Sequence, residues 1–263
     1  MQRDPNWELQ EVQRLVQALY GDSLTGLSGV LHCVSSVRAA ADPAHLHVID
    51  INQHAPRSPT DFFVLNLARA HADAIVTTAQ VVRAEPQLSH QLQGPLAEGL
   101  ARYRREVLGK SGRQCAVILT RSAQLPVDHR LFQDPLDNFV LIPPEHAAAL
   151  AVQLAAADAN AEVVPVPSLD IRIAVDLLLQ RGAGTILIEA GPSTASALYD
   201  PPARVQHLLL SRCEAPLDPR ALGRALPADA VLFAGLSCVS EHALTEPSGP
   251  WRFQHWLRSA PRP

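Results

Sequence analysis

Apolar residues recur at helical spacing near the start of the chain. Between Trp7 and Tyr20, Val12, Val16 and Leu19 alternate with glutamine and glutamate, and this pattern predicts an amphipathic helix. A second helix is predicted to start after Ser58, because a serine cap followed by proline at the first helical position is a typical helix start. Further helices are predicted over residues 145–157, 169–181 and 193–199.

Short apolar runs bounded by turn residues predict strands. The clearest run is Thr185-Ile-Leu-Ile-Glu189. Strands that alternate with helices indicate an α/β protein, with a parallel or mixed sheet that helices cover on both faces. The polar region over residues 85–112 is predicted to be a long loop with one helical segment. The other predicted strands cover residues 29–36, 45–51, 74–78, 115–120, 138–142, 161–166, 205–210, 230–233 and 251–257.

Composition narrows the class of protein. The chain has 263 residues, of which 47% are hydrophobic and 18% charged, the balance of a globular protein with a filled core. A net charge of -4 and the lack of a basic stripe argue against nucleic-acid binding. No apolar run reaches the roughly 18 residues of a spanning helix, and the first ten residues lack a signal-peptide core. A cytoplasmic protein without membrane association is therefore expected.

Cysteine and histidine spacing does not predict a metal site. The four cysteines are far apart and form no CxxC pair, which argues against a zinc site built on thiolates. Cys33, Cys115 and Cys238 lie in apolar runs and are predicted to be buried thiols in a reducing compartment. His45 and His47 share one face of a predicted strand, a spacing that can bind a metal, but ordinary half-buried histidines are the favoured interpretation.

Two further groups of residues are assigned from their local sequence. The cluster Arg102-Tyr-Arg-Arg105 is interpreted as a solvated helical face, with contact to a ligand phosphate as the alternative. Phe62 and Phe63, near the start of the second helix, are predicted to lie in the core.

The segment from Gly184 to Leu198 carries the strongest candidate chemistry. A buried strand ends in Glu189, turns through Gly191 and enters a helix whose first turn contains Ser193. Amides at a helix start lack internal partners and the helix dipole favours anions there, so a phosphate is a plausible ligand. Gly191 allows close approach to the backbone. The alternative is a turn that only caps a helix, since neither GxGxxG nor a P-loop is present.

Two blocks of sequence resemble one enzyme family. Glu189-Ala-Gly-Pro-Ser-Thr-Ala-Ser-Ala-Leu198 resembles a segment of the riboflavin-pathway pyrimidine reductases, and Ser58-Pro-Thr-Asp with residues 67–88 is similar to a second block of that family. The resemblance runs from about Gly29 to the final strand. It implies a dihydrofolate-reductase-like α/β fold: a mixed, mostly parallel sheet flanked by helices, with an extra N-terminal helix. The implied layout is a helical extension over residues 1–25 and one reductase domain over residues 26–263.

The resemblance also implies an activity and a set of site residues. The family reduces a phosphoribosylamino-pyrimidine to the ribitylamino form with NADPH, and its members are expected to be homodimers with a small-molecule substrate. The substrate would be met by Arg69, Leu88 and Glu189, where a guanidinium fork can clamp a phosphate. No general acid is assigned, and water could be the donor. The cofactor would be held by Glu85, Gly191, Pro192, Ser193, Thr194, Ala195, Ser196 and Ala197.

Three positions depart from the family pattern. Ser36 stands where the family has aspartate, Val37 where it has glycine, and Val81 where it has threonine. A valine does not adopt positive φ without strain, and its side chain takes up space. The zinc deaminase signature H-x-E with P-C-x-x-C is absent, which excludes that chemistry in this chain. Two hypotheses follow: an NADPH-dependent reductase of a phosphoribosylamino-pyrimidine or related heterocycle, or a non-catalytic descendant that acts as a binding or structural protein.

Overall fold

The computed structural model describes residues 6–259, so residues 1–5 of the predicted extension and residues 260–263 of the predicted domain lie outside the described residues. A π-helix covers Tyr103–Val107, and short 3-10 segments cover Arg130–Gln133, Ser196–Leu198 and Pro219–Ala221. The helices are α1 (Trp7–Tyr20), α2 (Pro59–His71), α3 (Ala79–Ala84), α4 (Ala97–Arg102), α5 (Pro144–Ala156), α6 (Ile171–Gln180), α7 (Pro192–Ala195) and α8 (Asp229–Leu232). The strands are β1 (Gly29–Arg38), β2 (Leu46–Ile49), β3 (Ala74–Thr78), β4 (Cys115–Leu119), β5 (Asp137–Ile142), β6 (Glu162–Pro165), β7 (Thr185–Ile188), β8 (Val205–Cys213), β9 (Leu222–Ala225), β10 (Leu236–Glu246) and β11 (Gly249–Arg258).

All these strands belong to one sheet with the order β10-β11-β8-β1-β7-β3-β4-β5-β6, and β2 and β9 extend it beside β1. The strands from β8 to β6 run parallel to one another. The pairs β10–β11, β11–β8, β1–β2 and β2–β9 are antiparallel. The expected mixed, mostly parallel sheet flanked by helices is confirmed, and its parallel strands place their carboxyl ends at one edge, where ligands bind in open α/β sheets.

The two faces of the sheet are buried by different helices because successive strand residues point to opposite sides. Leu187 of β7 faces α1, α2 and α4, where Val12 and Val16 of α1 belong to the same buried cluster. Ile186 and Ile188 face α6, whose Leu178 packs against them. The N-terminal helix is therefore part of the main core.

Several predicted elements agree with the structure. The first helix and the strand at residues 74–78 have the predicted bounds. The cap before α2 also forms, since Ser58 Oγ accepts a hydrogen bond of 2.9 Å from Asp61 N. The predicted helix at residues 193–199 forms at residues 192–198, as one α-helical turn followed by a 3-10 turn.

Other predictions about the elements were wrong. Residues 230–233 lie in a helical turn rather than a strand: Leu232 packs in the core while Val231 is 40% exposed, and a short apolar run does not distinguish the two. Strands β9 and β10 and helix α3 were not predicted. β10 is an edge strand with mostly exposed or half-exposed residues, paired along its length with β11, so it lacks an apolar run.

Three side-chain placements also differ from expectation. Arg104 is buried and donates hydrogen bonds to the carbonyl oxygens of Ala70 and Ala72, so the arginine cluster is only partly a solvated face. Phe62 is exposed, although Phe63 is buried as expected. Cys238 is exposed because it lies on the edge strand. Within residues 6–259, no helix has the length and hydrophobicity needed to cross a membrane.

Candidate active site

The carboxyl ends of β7 and β3 bring the two sequence blocks together. Ile188 pairs with His32 of β1 on one side and with Val76 of β3 on the other. Beyond it, Glu189 N donates a hydrogen bond of 2.8 Å to Val76 O, and Thr77 Oγ1 donates one of 3.0 Å to Glu189 O. These bonds hold the glutamate backbone at the edge of the sheet, and its side chain lies on the α2 face.

Arg69 and Glu189 form a bidentate ion pair at this edge. Arg69 Nε and Nη2 donate hydrogen bonds of 2.8 Å each to the two carboxylate oxygens. The side chains are 4% and 10% exposed, respectively. Burial raises the pKa of Glu189, but the charge and hydrogen bonds of Arg69 outweigh burial, so the pKa is lowered overall and the carboxylate stays ionised. The two residues expected to meet the substrate thus contact each other.

A histidine that sequence reasoning missed lies against this pair. His90 is fully buried, with Nε2 3.7 Å from Glu189 Oε2, and neither ring nitrogen has a hydrogen-bond partner. Burial lowers its pKa to about 4. Its backbone N donates to Asp134 Oδ2 at 2.8 Å, which fixes the segment. No local signal marks it, because it stands in a polar stretch and its burial depends on contacts with distant residues.

Glu85 lies near the pair on the segment after α3, and Leu88 follows it on the same segment. Glu85 is half-buried, and burial together with the negative charge of Glu189 raises its pKa. Its carbonyl oxygen is 3.0 Å from His129 Nε2 and accepts a 2.9 Å hydrogen bond from Leu88 N. Leu88 is 8% exposed and belongs to a core cluster with Val82. The leucine expected at the substrate therefore packs mainly into the protein.

The segment from Gly191 to Ala197 forms a helical turn beyond Glu189, in which Gly191 and Ser193 are exposed. Gly191 has a φ of -60°, and an added Cβ would meet no atom within 4 Å. Its carbonyl oxygen accepts hydrogen bonds from the amides of Thr194 and Ala195. Ser193 is exposed, and its Oγ accepts a 2.7 Å hydrogen bond from Nη1 of Arg224 on β9. Pro192 and Ala195 are buried, and Thr194, Ser196 and Ala197 are half-buried.

At the three positions that depart from the family pattern, the residues make contacts within the protein. Ser36 is fully buried and donates a 3.2 Å hydrogen bond to Ser211 O. Val37 is 4% exposed and pairs with its neighbours inside the sheet. Val81 N donates to Thr78 Oγ1 at 3.3 Å, while its side chain packs against the core beside α3. None of the three offers a polar side chain to a ligand.

His45, just before β2, and His47, within it, share one partner. Asp42 accepts from both: its carboxylate oxygens lie 2.9 Å from His45 Nδ1 and 3.1 Å from His47 Nε2. All three side chains are at least partly exposed. The interpretation as ordinary half-buried histidines agrees with this arrangement.

Comparison with known proteins places the chain in a family. The family model of the RibD C-terminal domain matches residues 49–201, more than half of the chain. The chain belongs to this family. The candidate substrate residues Arg69, Leu88 and Glu189 all fall within the matched range. The resemblance to riboflavin-pathway pyrimidine reductases and the dihydrofolate-reductase-like fold that it implied are confirmed.

Solved structures agree with the RibD C-terminal domain assignment. A pyrimidine reductase-like protein from Corynebacterium diphtheriae matches with a TM-score of 0.64 at 21% identity, over 94% of this chain and 99% of that one. RibD from Acinetobacter baumannii matches with a TM-score of 0.61 at 15% identity, over 94% and 62%. The riboflavin biosynthesis reductase Rib7 from Saccharomyces cerevisiae gives 0.55 at 12% identity, over 94% and 100%. At these identities the matches show the fold alone. No curated protein sequence matches the chain.

Proposed function

We propose that this member of the RibD C-terminal domain family is an NADPH-dependent reductase that acts on a phosphoribosylamino-pyrimidine or a related heterocycle. Membership in a family of pyrimidine reductases supports a reductase function. The observation that carries the proposal is the exposed backbone at Gly191, open above its Cα and placed at the edge where β7 ends. We further propose that the protein acts in the cytoplasm as a homodimer.

The residues at this turn fit the diphosphate of a dinucleotide. The Cα of Gly191 faces open space, because a Cβ built there would meet nothing within 4 Å. Ser193 supplies a hydroxyl, and the Arg224 guanidinium beside it supplies a positive charge that no carboxylate within residues 6–259 neutralises. Arginine and small hydroxyl side chains beside open backbone are suited to phosphate oxygens. When bound, the nicotinamide would supply the hydride, and the protein would supply orientation and charge.

Glu189 is the residue that we assign to the heterocycle. Arg69 keeps its carboxylate ionised and fixed in the bidentate geometry, and an ionised carboxylate only accepts hydrogen bonds. The ring N–H groups of a pyrimidine are donors that match it. In this assignment Arg69 is a positioning residue, since both of its bonds to Glu189 are already made. Glu85 lies close enough to Glu189 for the negative charge of that residue to contribute to its raised pKa.

A titration with NADPH tests the proposal. The melting temperature of the wild-type protein is expected to rise with NADPH concentration, with about 2.7 kcal/mol of stabilisation at a hundredfold excess over the dissociation constant. Gly191→Ala should weaken NADPH binding at least about tenfold, because the methyl group occupies the phosphate approach without touching the protein. Gly112→Ala is the matched control, since a Cβ there also meets nothing within 4 Å.

The outcomes separate the parts of the proposal. A wild-type protein that shows no shift at millimolar NADPH contradicts the reductase assignment. If Gly191→Ala shows the same melting-temperature shift as the wild type, the protein binds NADPH, but the placement of NADPH at this turn is contradicted. The identity of the substrate is tested by adding the phosphoribosylamino-pyrimidine and NADPH to the protein. Oxidation of NADPH is measured as a loss of nicotinamide absorbance.

A non-catalytic descendant is the second candidate function. It is favoured by the closed ion pair between Arg69 and Glu189 and by the structural contacts at Ser36, Val37 and Val81. In that case the protein keeps the fold as a binding or structural protein. Absence of both NADPH binding and turnover supports it, whereas saturable NADPH binding with turnover rejects it.

A further inference from the structure

His90 lies on the segment between α3 and α4, and this segment is fastened on two sides. The His90 amide donates a 2.8 Å hydrogen bond to Asp134 Oδ2. Three residues further on, Gln93 N donates a 2.7 Å hydrogen bond to Oδ1 of Asn66 on α2. Because α2 also carries Arg69, the ring of His90 is held close to the buried ion pair.

The ring of His90 is buried without a hydrogen bond. Within residues 6–259, neither of its nitrogens has a hydrogen-bond partner, although the side chain is fully buried. Its Nε2 atom lies 3.7 Å from Glu189 Oε2, which is too far for a hydrogen bond. A movement of about 1 Å brings the two atoms within hydrogen-bond distance. A buried polar atom without a partner carries a desolvation cost that such a bond removes.

Burial and the charge of Glu189 determine where His90 carries its proton. Burial lowers the pKa of His90 to about 4, although the charge of Glu189 opposes this, so the ring is neutral at pH 7 and has one proton. With that proton on Nδ1, the lone pair of Nε2 would face an ionised oxygen and be repelled by it. With the proton on Nε2, an N–H dipole faces that oxygen. Arg69, Asp134 and His129 also act on the ring, each less than Glu189.

Glu189 has few free acceptor positions. Its two carboxylate oxygens offer about four lone-pair positions. Arg69 Nε takes one on Oε1, and Arg69 Nη2 takes one on Oε2. A hydrogen bond from His90 Nε2 takes the remaining position on Oε2. One position on Oε1 is then left for a ligand.

We propose that His90 is a positioning residue, which donates its Nε2–H to Glu189 Oε2 and leaves one acceptor position on Oε1 for the heterocycle. The bond forms when the 3.7 Å gap closes on binding of the ligand. Arg69 and His90 then hold the carboxylate in one orientation from two different elements, α2 and the segment after α3. This inference rests on the proposed assignment of Glu189 to the heterocycle, whereas the location of the His90 proton does not depend on any ligand.

The first measurement needs neither cofactor nor substrate. Long-range proton–nitrogen NMR correlations from the ring carbon protons show which nitrogen of His90 carries the proton in the full-length, isotope-labelled protein. Nε2–H is expected, and a proton on Nδ1 overturns the proposal. His129 is the internal reference for Nε2–H, because its Nδ1 accepts a 3.0 Å hydrogen bond from Leu131 N and its Nε2 lies 3.0 Å from the carbonyl oxygen of Glu85.

Three variants separate positioning from the filling of space. His90→Gln places an amide N–H near the position of Nε2, its matched control His90→Asn places one near Nδ1, and His90→Leu removes the donor. The pKa of Glu189, followed by carboxyl carbon NMR, is expected to rise in His90→Leu and His90→Asn, because His90 lowers it in the wild type. It should return towards the wild-type value in His90→Gln. Equal pKa values in His90→Gln and His90→Asn overturn the proposal, even if His90→Leu does not fold.

Steady-state kinetics tests the role of His90 in the proposed reaction. His90→Leu is expected to raise KM for the phosphoribosylamino-pyrimidine about tenfold, and His90→Gln should recover most of that loss. The dissociation constant of NADPH should not change. The same KM in His90→Leu and His90→Gln contradicts positioning. A wild type without turnover contradicts the reductase proposal instead, and the proton location and the Glu189 pKa still decide whether His90 donates to Glu189.

Discussion

Removal of Arg69 should destabilise the protein strongly, and this prediction tests the ion pair directly. Arg69→Met leaves the Glu189 carboxylate 10% exposed and without its two 2.8 Å hydrogen bonds. Breaking a buried pair from one side costs about 3–5 kcal/mol, because the remaining charge is buried without compensation. Urea denaturation at pH 7 measures this cost. The double variant Arg69→Met/Glu189→Leu should lose about as much as the single variant or less, since no charge is left unpaired.

The pH dependence of the Arg69→Met effect provides the second half of the test. In the wild type, the pKa of Glu189 is lowered from its usual 4.5, so the contribution of the pair is present above pH 4.5 and is lost as pH falls through the folded-state value. In the variant, burial is opposed only by the smaller effect of His90 and raises the pKa of Glu189 above that of the unfolded chain. The folded variant then binds more protons than the unfolded one, and its deficit relative to wild type should shrink from pH 7 to pH 5.

Three results would refute the reasoning behind this prediction. A loss below about 1 kcal/mol would mean that the pair behaves like a surface salt bridge. A deficit that does not change with pH would mean that Glu189 is not the source of the penalty. A double variant that loses the sum of two single losses would show no coupling between the two side chains.

Three further predictions concern other parts of the molecule. Arg224→Met should weaken NADPH binding about three- to tenfold and reduce its salt dependence, because one charge near the phosphates is removed; calorimetry at two salt concentrations checks this. Gly99→Ala should cost about 1–3 kcal/mol in urea denaturation, since its Cβ would lie 2.7 Å from the backbone of Glu8 on α1, whereas Gly112→Ala should cost little. Acidification from pH 7 to pH 5 should lower the free energy of unfolding by about 2 kcal/mol for each buried histidine, because the unfolded chain binds the proton at a higher pH than the folded protein does. A free energy of unfolding that does not change between these pH values contradicts this prediction. Burial lowers the pKa of these histidines to about 4 at His32, His90 and His255 and to about 3 at His71.

Elements with strong local signals could be predicted from the sequence. The bounds of α1 follow from apolar spacing, and the start of α2 follows from the serine cap and the proline after it. The sheet class follows from the alternation of strands and helices. By contrast, β10 is recognisable only through its partner β11, because an exposed edge strand has no apolar run. The division of the chain at residue 25 stays a prediction, while α1 packs into the main core.

The candidate site could be predicted only in part. The two sequence blocks mark Arg69 and Glu189 as candidates, yet the residues are 120 positions apart and their direct contact depends on how α2 packs on β7. His90 has no local signal because its burial arises from distant contacts. Arg224 lies on β9, a strand that the sequence pattern did not predict. Candidate residues within the two sequence blocks could be named from the sequence, whereas His90 and Arg224 reach the same region only through long-range packing.

The ion pair also bears on which part of a substrate the site accepts. A substrate phosphate at Arg69 would have to displace Glu189. The carboxylate of Glu189, which is only 10% exposed, would then be unpaired, at a cost of about 3–5 kcal/mol. A neutral ring that donates N–H groups to Glu189 leaves the pair intact and adds hydrogen bonds to a charged acceptor. Anionic groups are better accommodated at Ser193, where the Arg224 charge is exposed. The arrangement of charge therefore supports the proposal that a heterocycle is held by its ring at Glu189 and a dinucleotide diphosphate at the neighbouring turn.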